Sequence, residues 1–347
     1  MNNSTLSIDD EQNKLFTIVE IIIRLMLAMT GTVGNAFVIY AVAMTPKLRT
    51  VPNALVTALA ILDLIVSAVL IPLMVVGTVE NEWPFDVSFC RVHGFMLIFF
   101  HALSLNILGL IAINRFLNIT KPLHIYRKFA TPQLFVIQLI VAVLLAGLPV
   151  LSPFFGIGSK DFAGFNPVLG HCSFGYDVEG VWVYEVVLLS LGLLIGTVVI
   201  PFTYALIWKH VGASRSRVHA WSTSALPKSM TEQQSNNESG SPNQEVSVPA
   251  FAHAISIRRI QHKDNLRLTR NLFLLFITYT LSLIPYCVFV FFDKHYSFSI
   301  WLWRAADILL WSTSAVNPYV YALMTSSFRE AFRRLVGLSF YSSPQRT

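Results

Sequence analysis

The chain has 347 residues, of which 54% are hydrophobic and only 13% are charged. Soluble globular domains carry about 25% charged residues, so this composition excludes an ordinary soluble protein and indicates a membrane protein. The formal net charge is +6. We attribute this excess to membrane topology rather than to nucleic-acid binding, because the basic residues concentrate on one side of the predicted membrane.

Seven apolar segments are long enough to cross a bilayer, which takes roughly 20 residues. They lie at about 17–43, 53–76, 88–117, 133–153, 181–208, 271–292 and 299–324. The predicted fold is therefore an all-α membrane protein, a seven-transmembrane helix bundle. After it, the segment SSFREAFRRLVGL places Phe328, Phe332 and Leu335 on one face, which predicts a short amphipathic eighth helix on the inner leaflet.

The distribution of charge orients the bundle. With the N-terminus outside, most of the 25 Lys and Arg residues fall on the cytoplasmic side, and the opposite side is acidic. Residues 1–16 then form an extracellular N-terminus without the features of a cleavable signal peptide, 17–324 the seven-helix domain, and 325–347 the amphipathic helix and cytoplasmic tail. We expect the third inner loop, about 214–250, to be disordered, because it is rich in Ser, Asn, Gln and Pro.

Two of the three cysteines, Cys90 and Cys172, fall on the outer side, where the compartment is oxidising, whereas Cys287 lies inside the sixth segment. We predict a Cys90–Cys172 disulfide that ties the second outer loop over the bundle. The alternative is a pair of free thiols. Asn2 and Asn3 begin overlapping Asn-x-Ser/Thr sequons on the same face and are predicted glycosylation sites.

Isolated polar residues interrupt the apolar segments at a few positions. Asp63 lies in the middle of the second segment and Arg115 at the inner end of the third, and a charge inside a membrane span normally marks a functional site. Asn35 follows TGTVG in the first segment, Pro285 lies in the sixth, and the motif NPYVY, 317–321, ends the seventh. Together with the predicted disulfide and tail helix, these features resemble the rhodopsin-like G protein-coupled receptors across nearly the whole chain.

The resemblance implies a ligand-driven switch in the plasma membrane that a heterotrimeric G protein reads at the inner mouth, with arrestin and receptor kinases as further partners. It assigns coupling and activation roles to the residues that match the family's switch motifs: Asn114, Arg115, Phe116, Tyr204, Pro285, Asn317, Pro318 and Tyr321. It requires no cofactor, but it implies a site for an allosteric sodium ion formed by Asp63, Ser104, Ser314 and Asn317.

Several residues depart from the family pattern. Asn114 replaces the acidic partner of Arg115, and Asn265 stands at the inner end of the sixth helix where many relatives carry a glutamate, so we expect the inactive state to be loosely locked. Leu283 occupies the toggle-tryptophan position, and Pro201 stands only three residues before Tyr204, a pair that the family spaces more widely. One alternative is a non-signalling or constitutively active orphan receptor. A second, less favoured alternative is a seven-helix transporter or channel, which would show polar residues along several spans. No catalytic or metal-ligand pattern is found, so an enzyme is not expected.

Short segments narrow the resemblance. TGTVGN, PKLRT, FCRVHG, CSF, LSLIP and the VNPYVYALM…FREAF ending are similar to the medium-chain fatty-acid receptor and the invertebrate orphan receptors grouped with it, and then to the melatonin receptors. Leu97 stands where aminergic receptors carry a ligand-pairing Asp, which disfavours monoamines. Trp311 stands at the position of the opsin Schiff-base lysine, which excludes retinal attachment.

We expect the ligand pocket to be apolar and aromatic and to take a lipid-like or small aromatic molecule. Its candidate residues are Arg24, Leu97, His101, Tyr286, Phe289, Asp307 and Trp311. His101 is either a ligand contact or a structural hydrogen-bonding group. Arg24 either pairs with Glu20 one turn away or bridges to Asp307. If the ligand is an acid, its cation must come from Arg24, Arg304, Lys160 or His171.

Overall fold

The structure is a computed structural model that describes residues 3–152, 162–175, 178, 180–224, 273–324 and 326–335. Within these ranges, seven long helices form one bundle. They are α1 (Asn3–Met44), α2 (Val51–Glu80), α3 (Val87–Thr120), α4 (Pro132–Leu151), α5 (Val181–Leu194, continued by Ile200–Ser224), α6 (Phe273–Phe292) and α7 (Ile300–Met324). Each contains most or all of one of the seven predicted apolar segments, although α1 begins at Asn3 rather than near residue 17 and α5 extends to Ser224 rather than to about residue 208.

Five of these helices, α1 to α4 and α6, are long and apolar enough to cross a membrane by length and composition alone. In α5 the first helical stretch ends at Leu194, and α7 carries the charged residues Arg304 and Asp307. The α5 helix continues to Ser224, past the start at about residue 214 that we predicted for the third inner loop. Residues 225–272, which contain the centre of that loop and Asn265, lie outside the described part of the chain.

Short elements join the long helices. A 3-10 turn at Pro46–Leu48 links α1 to α2, and a short helix, Leu123–Phe129, lies in the second inner loop. The C-terminal helix α8, Ser326–Leu335, buries Phe328 and Ala331 while Arg329 and Arg333 are exposed. This division of apolar and basic residues is the one expected of a helix at a membrane surface.

Polar caps define where two of the membrane helices begin. The Asp86 carboxylate accepts a hydrogen bond from the Ser88 backbone NH at 2.7 Å and caps α3, and Thr131 caps α4 by accepting from Leu134. Such caps satisfy backbone NH groups that have no partner inside the helix. Hydrogen bonds from the Ser88 amide hold the pKa of the Asp86 carboxyl below its ordinary value.

Two helices contain a π-helical segment directly before a proline. Val66–Leu70 precedes Pro72 in α2, and Ile195–Val199 precedes Pro201 in α5. A proline has no backbone NH, and its ring collides with the carbonyl four residues earlier, which in both helices lies inside the π segment. The wider turn therefore explains how α5 accommodates Pro201 without a break.

Small residues let α1 approach its neighbours closely. A Cβ atom added to Gly31 would lie 2.2 Å from Ser67 Oγ, and one added to Gly34 would lie 2.8 Å from the ring of Pro318. Small residues at such contacts allow membrane helices to pack backbone against backbone. The glycines of the TGTVGN segment therefore serve the packing of α1 against α2 and α7.

A β-hairpin covers the outer end of the bundle. Its strands, β1 (Ala163–Asn166) and β2 (His171–Phe174), pair in antiparallel register, and all four residues of β2 are buried. Cys172 is bonded to Cys90 at the start of α3, so the predicted disulfide is confirmed. Gly77 and Gly94 lie against the hairpin backbone, where added Cβ atoms would be 2.7 Å from Gly170 O and 3.1 Å from Ser173 O.

Candidate functional site

A cavity of about 350 Å³, here called the main cavity, lies in the bundle below the hairpin. Helices α3 to α7 and strand β2 supply its walls, and most of the wall residues are Leu, Ile, Ala and aromatic side chains. Five of the seven predicted pocket residues line it: Leu97, His101, Tyr286, Asp307 and Trp311. Arg24 and Phe289 do not. Phe289 instead packs against Phe298 and Trp303 nearer the outer surface.

His101 is held by a partner inside the bundle. The Tyr279 hydroxyl lies 3.0 Å from Nδ1 of His101 and 3.2 Å from the His101 backbone carbonyl. The His101 ring also meets the Trp311 ring edge to face, with 6.0 Å between the centroids. The side chain thus lines the main cavity and is anchored by Tyr279 at the same time, so its two predicted roles are compatible.

Arg24 makes both of the contacts that the sequence left as alternatives. Its guanidinium lies 2.9 Å from the Glu20 carboxylate, one turn away in α1, and 2.9 Å from Asp307 Oδ2 in α7. Arg24 and Asp307 have exposed fractions of only 2% and 1%. Because a buried charge is costly without a partner, this pair fixes the spacing of α1 and α7 at their outer ends.

The pair belongs to a larger network, here called the outer ionic network: Glu20, Arg24, His171, Arg304 and Asp307. Arg304 lies 3.1 Å from the second oxygen of Glu20, and His171 Nε2 lies 3.0 Å from Asp307 Oδ2. Trp311 Nε1 donates to the other Asp307 oxygen at 2.9 Å. Arg24, Arg304 and His171, three of the four side chains considered for an acidic ligand, therefore already contact a carboxylate, and the fourth, Lys160, lies outside the described residues.

Glu185 lies next to the main cavity but was not among the predicted pocket residues. It is buried in α5, where its carboxylate accepts a hydrogen bond from the Tyr286 hydroxyl at 3.0 Å. Tyr286 lines the main cavity, whereas Glu185 lines a smaller cavity of about 220 Å³ between α5 and the loop after α6. A lone carboxylate inside the fifth apolar segment is a signal of a functional position, and it could have been used.

Three of the four predicted sodium-site residues meet in the middle of the bundle: Asp63, Ser314 and Asn317. Asn317 Nδ2 donates to Asp63 Oδ2 at 2.5 Å, and Ser314 also hydrogen-bonds the Asp63 carboxylate. Asn35 Nδ2 donates to the Ser314 carbonyl at 2.8 Å and so holds this part of α7 against α1. Ser104 is buried on α3. These oxygen-bearing side chains are of the type that binds a hard cation.

Three of the predicted switch residues lie close together at the predicted inner mouth: Asn114, Arg115 and Tyr204. Asn114 and Arg115 are both buried on α3, and Arg115 lies near Tyr204, which packs against Phe273. The Asn114 side chain accepts a hydrogen bond from the Tyr126 hydroxyl of the second inner loop at 3.4 Å. The residue that replaces the family's acid therefore contacts this loop.

The other switch residues occupy their expected elements. Phe116 is partly buried at the inner end of α3, Pro285 lies in α6, and Pro318 contacts α1 through the Gly34 position. Tyr321 belongs to the last turns of α7, and its side chain lies outside the described part of the structure, as does the glycosylation candidate Asn2. Asn3, the second candidate, is the first residue of α1.

Known proteins show the same architecture. The family profile described as 7 transmembrane receptor (rhodopsin family) matches residues 34–321, which is most of the chain. The chain belongs to this family. The predicted resemblance is thereby confirmed, and the protein is a non-enzymatic, multi-pass membrane receptor of the G protein-coupled class.

Individual relatives are distant. The chain is 29% identical to "Rhodopsin, GQ-coupled" of Mizuhopecten yessoensis over 90% of its length, which covers 58% of that protein. It is 24% identical to "G-protein coupled receptor 84" of Bos taurus, with 90% of each chain covered. The crystal structure of squid rhodopsin superposes with a TM-score of 0.74 at 22% identity, over 95% of this chain and 88% of that one. This last likeness establishes the fold alone.

The seventh helix contains no lysine that could bind retinal covalently. No lysine occurs between Ile300 and Met324, and the family resemblance predicts that Trp311 stands at the position of the opsin lysine. The rhodopsin likeness therefore concerns the scaffold, and the ligand must be inferred from the main cavity itself.

Proposed function

We propose that this receptor binds a neutral, apolar or lipid-like small molecule in the main cavity and converts binding into activation of a heterotrimeric G protein. Two features together support the proposal: the walls of the cavity are apolar, and the basic side chains of the outer ionic network already contact carboxylates within it. Apolar walls favour an apolar ligand, because each Å² of apolar surface removed from water contributes roughly 25 cal/mol of favourable free energy.

The charges around the main cavity support a neutral ligand. A carboxylate buried there would meet the Asp307 carboxylate on the cavity wall, and it would have to take Arg24 or His171 from Asp307 to obtain a cation. An amine would compete with Arg24 for Asp307 in the same way. Burying either charge without a partner is costly, whereas a hydroxyl or ester can hydrogen-bond to His101 or Tyr286 without breaking an ion pair.

The inner half supports G-protein coupling. Arg115 and Tyr204 lie together at the inner mouth, and Asn317 connects the seventh helix to Asp63 in the centre of the bundle. A ligand that favours one arrangement of these helices shifts the population toward it. We propose that Asp63, Ser104, Ser314 and Asn317 bind sodium in the inactive arrangement and that the inner mouth binds the G protein in the active one.

The proposal includes the surroundings of the receptor. It acts in the plasma membrane with its N-terminus outside, where Asn2 and Asn3 carry glycans. Receptor kinases act on the Ser and Thr residues between about 214 and 247, and arrestin binds the phosphorylated loop, because phosphate adds charge and hydrogen-bond acceptors that basic partners recognise.

A comparison of head groups on one alkyl chain tests the ligand class. Second-messenger output is measured in cells given 1-decanol, decanoic acid or decylamine. We expect activation by the alcohol, its loss in Ala102→Phe, which fills the main cavity, and its retention in Ile140→Phe, which adds the same ring on the lipid-facing side of α4. Activation by the acid or the amine alone would contradict a neutral ligand. Arg115→Ala separates binding from coupling.

A further inference from the structure

The main cavity is covered on its outer side. Ser173 and Phe174 of β2 form part of its wall, and the disulfide and the His171–Asp307 contact tie this strand to α3 and α7. In the part of the outer loop that the structure describes, β2 is at most 7% exposed. A ligand that came from water would have to displace this anchored strand.

The same cavity reaches the membrane-facing surface between α4 and α5. Three of its wall residues, Leu145, Leu191 and Leu194, are 61%, 49% and 54% exposed on the outside of the bundle. A residue that lines a cavity and is also half exposed marks an opening. Since its rim is made of leucine side chains, this opening suits the acyl region of a bilayer rather than water.

The packing of α4 explains why an opening exists there. Helix α4 packs closely on α3, whereas the described parts of α4 and α5 make few close backbone contacts. At the outer end a polar clamp joins them, because the Tyr184 hydroxyl of α5 donates to the Pro149 carbonyl of α4 and lies 3.5 Å from Ser152 Oγ. The separation below this clamp, bounded by Leu145, Leu191 and Leu194, is here called the α4–α5 slot.

We propose that the ligand enters the main cavity from the outer half of the bilayer through the α4–α5 slot, and that the natural ligand is a neutral amphiphile that partitions into membranes. This inference rests on the proposed function, because it takes the main cavity to be the ligand site. It also means that an alkyl chain longer than the cavity can leave its end in the lipid. The cavity volume then sets no upper limit on chain length.

Rate measurements on a closed slot test the entry route. The receptor is reconstituted in lipid nanodiscs, and a ten-carbon alcohol bearing a diazirine is added. Photo-crosslinking after increasing times is followed by mass spectrometry of the peptides that contain His101 and Trp311. The slot variant is Leu145→Trp with Leu194→Trp. The matched control is Leu144→Trp with Leu148→Trp, at positions 49% and 60% exposed on α4 that do not line the cavity.

We expect incorporation into the cavity peptides to approach its final level several-fold more slowly in the slot variant than in the control, because a bulky rim slows both entry and exit. Equal rates in the two variants would overturn the entry route and leave the proposed ligand class intact. Absence of crosslinking to the cavity in the unchanged receptor would overturn the proposed function and the entry route together.

Chain length gives a second readout that damage to the fold would not imitate. Straight-chain alcohols from 1-octanol to 1-hexadecanol compete with the photoprobe, and their affinities are expressed relative to their concentrations in the membrane. We expect a plateau at long chains in the unchanged receptor and a decline in the slot variant, where the whole chain must fit inside the cavity. A decline in both would contradict an open slot.

Discussion

Arg24 of α1 and Asp307 of α7 form a buried ion pair, with 2.9 Å between Nη2 and Oδ2, although 283 positions separate them in the chain. His171 of the hairpin contacts the same carboxylate oxygen at 3.0 Å. One acidic side chain on the cavity wall therefore holds the first helix, the seventh helix and the outer cover together. The stability of this arrangement and the charge seen by a ligand depend on the same residue.

The network predicts a large cost for removing one partner. Asp307→Asn leaves Arg24 buried with Glu20 as its remaining carboxylate, and the loss of one member of a buried pair costs about 3–5 kcal/mol. We expect a clear fall in the thermal unfolding temperature of the purified receptor. Arg24→Met combined with Asp307→Leu should recover much of this loss. If the double variant were destabilised by the sum of the effects of Arg24→Met and Asp307→Leu measured separately, the two residues would not be coupled.

We expect the side chain at position 114 to influence the level of ligand-free signalling. An aspartate at this position keeps the oxygen that accepts from Tyr126 and adds a charge beside Arg115. Asn114→Asp should favour the closed inner mouth and lower basal second-messenger output, by a modest amount if the new pair contributes only about 1 kcal/mol. Asn114→Ala, which removes the oxygen without adding charge, serves as the control. Unchanged or higher basal output at equal surface expression would speak against this account of locking.

Asp63 predicts a response to sodium. An ion that binds the folded receptor stabilises it by mass action, so the unfolding temperature should rise when sodium replaces N-methylglucamine at constant ionic strength. Asp63→Asn should remove this response, because the amide keeps the shape and one oxygen but loses the charge. A sodium effect of the same size in the variant would leave Asp63 as a hydrogen-bonding partner of Asn317 and nothing more.

Regulation should depend on the third inner loop. Eleven Ser and Thr residues lie between Ser214 and Ser247, whereas only four follow Gly337. Truncation after Gly337 should therefore preserve arrestin recruitment and desensitisation, and replacement of the loop Ser and Thr residues by Ala should abolish them. The opposite result, measured by recruitment of labelled arrestin, would place the kinase sites in the tail.

The sequence predicted the seven helices, because each is an apolar segment of membrane-spanning length bounded by polar connections. The family resemblance also implied that Asp63 and Asn317 share one site, and a hydrogen bond joins them in the structure. It did not predict the contacts of Glu20 with Arg304 or of Glu185 with Tyr286. Helices that are apolar on most of their surface carry little information about which face turns inward, so these interhelical pairs depend on rotations that periodicity does not specify.

The hairpin and the α4–α5 slot could not be predicted from the sequence. Residues 163–174 are too short and too mixed to be recognised as two strands, and β2 is fixed by its disulfide and by close contacts at Gly77 and Gly94. The slot arises from a separation between two helices that are both apolar along their length. No single residue in the sequence indicates the slot. It is recognised in the structure because leucines that line the cavity are also exposed on the outer surface of the bundle.

The most direct test of the central claim is guanine-nucleotide exchange on purified heterotrimeric G proteins by the receptor in nanodiscs. We predict that 1-decanol in the membrane accelerates exchange by the unchanged receptor and by Ile140→Phe, but not by Ala102→Phe, and that Arg115→Ala abolishes exchange in every condition. Acceleration of equal size in Ala102→Phe would contradict the main cavity as the ligand site. Exchange that never depends on the receptor, with any head group and any G protein, would contradict a signalling receptor.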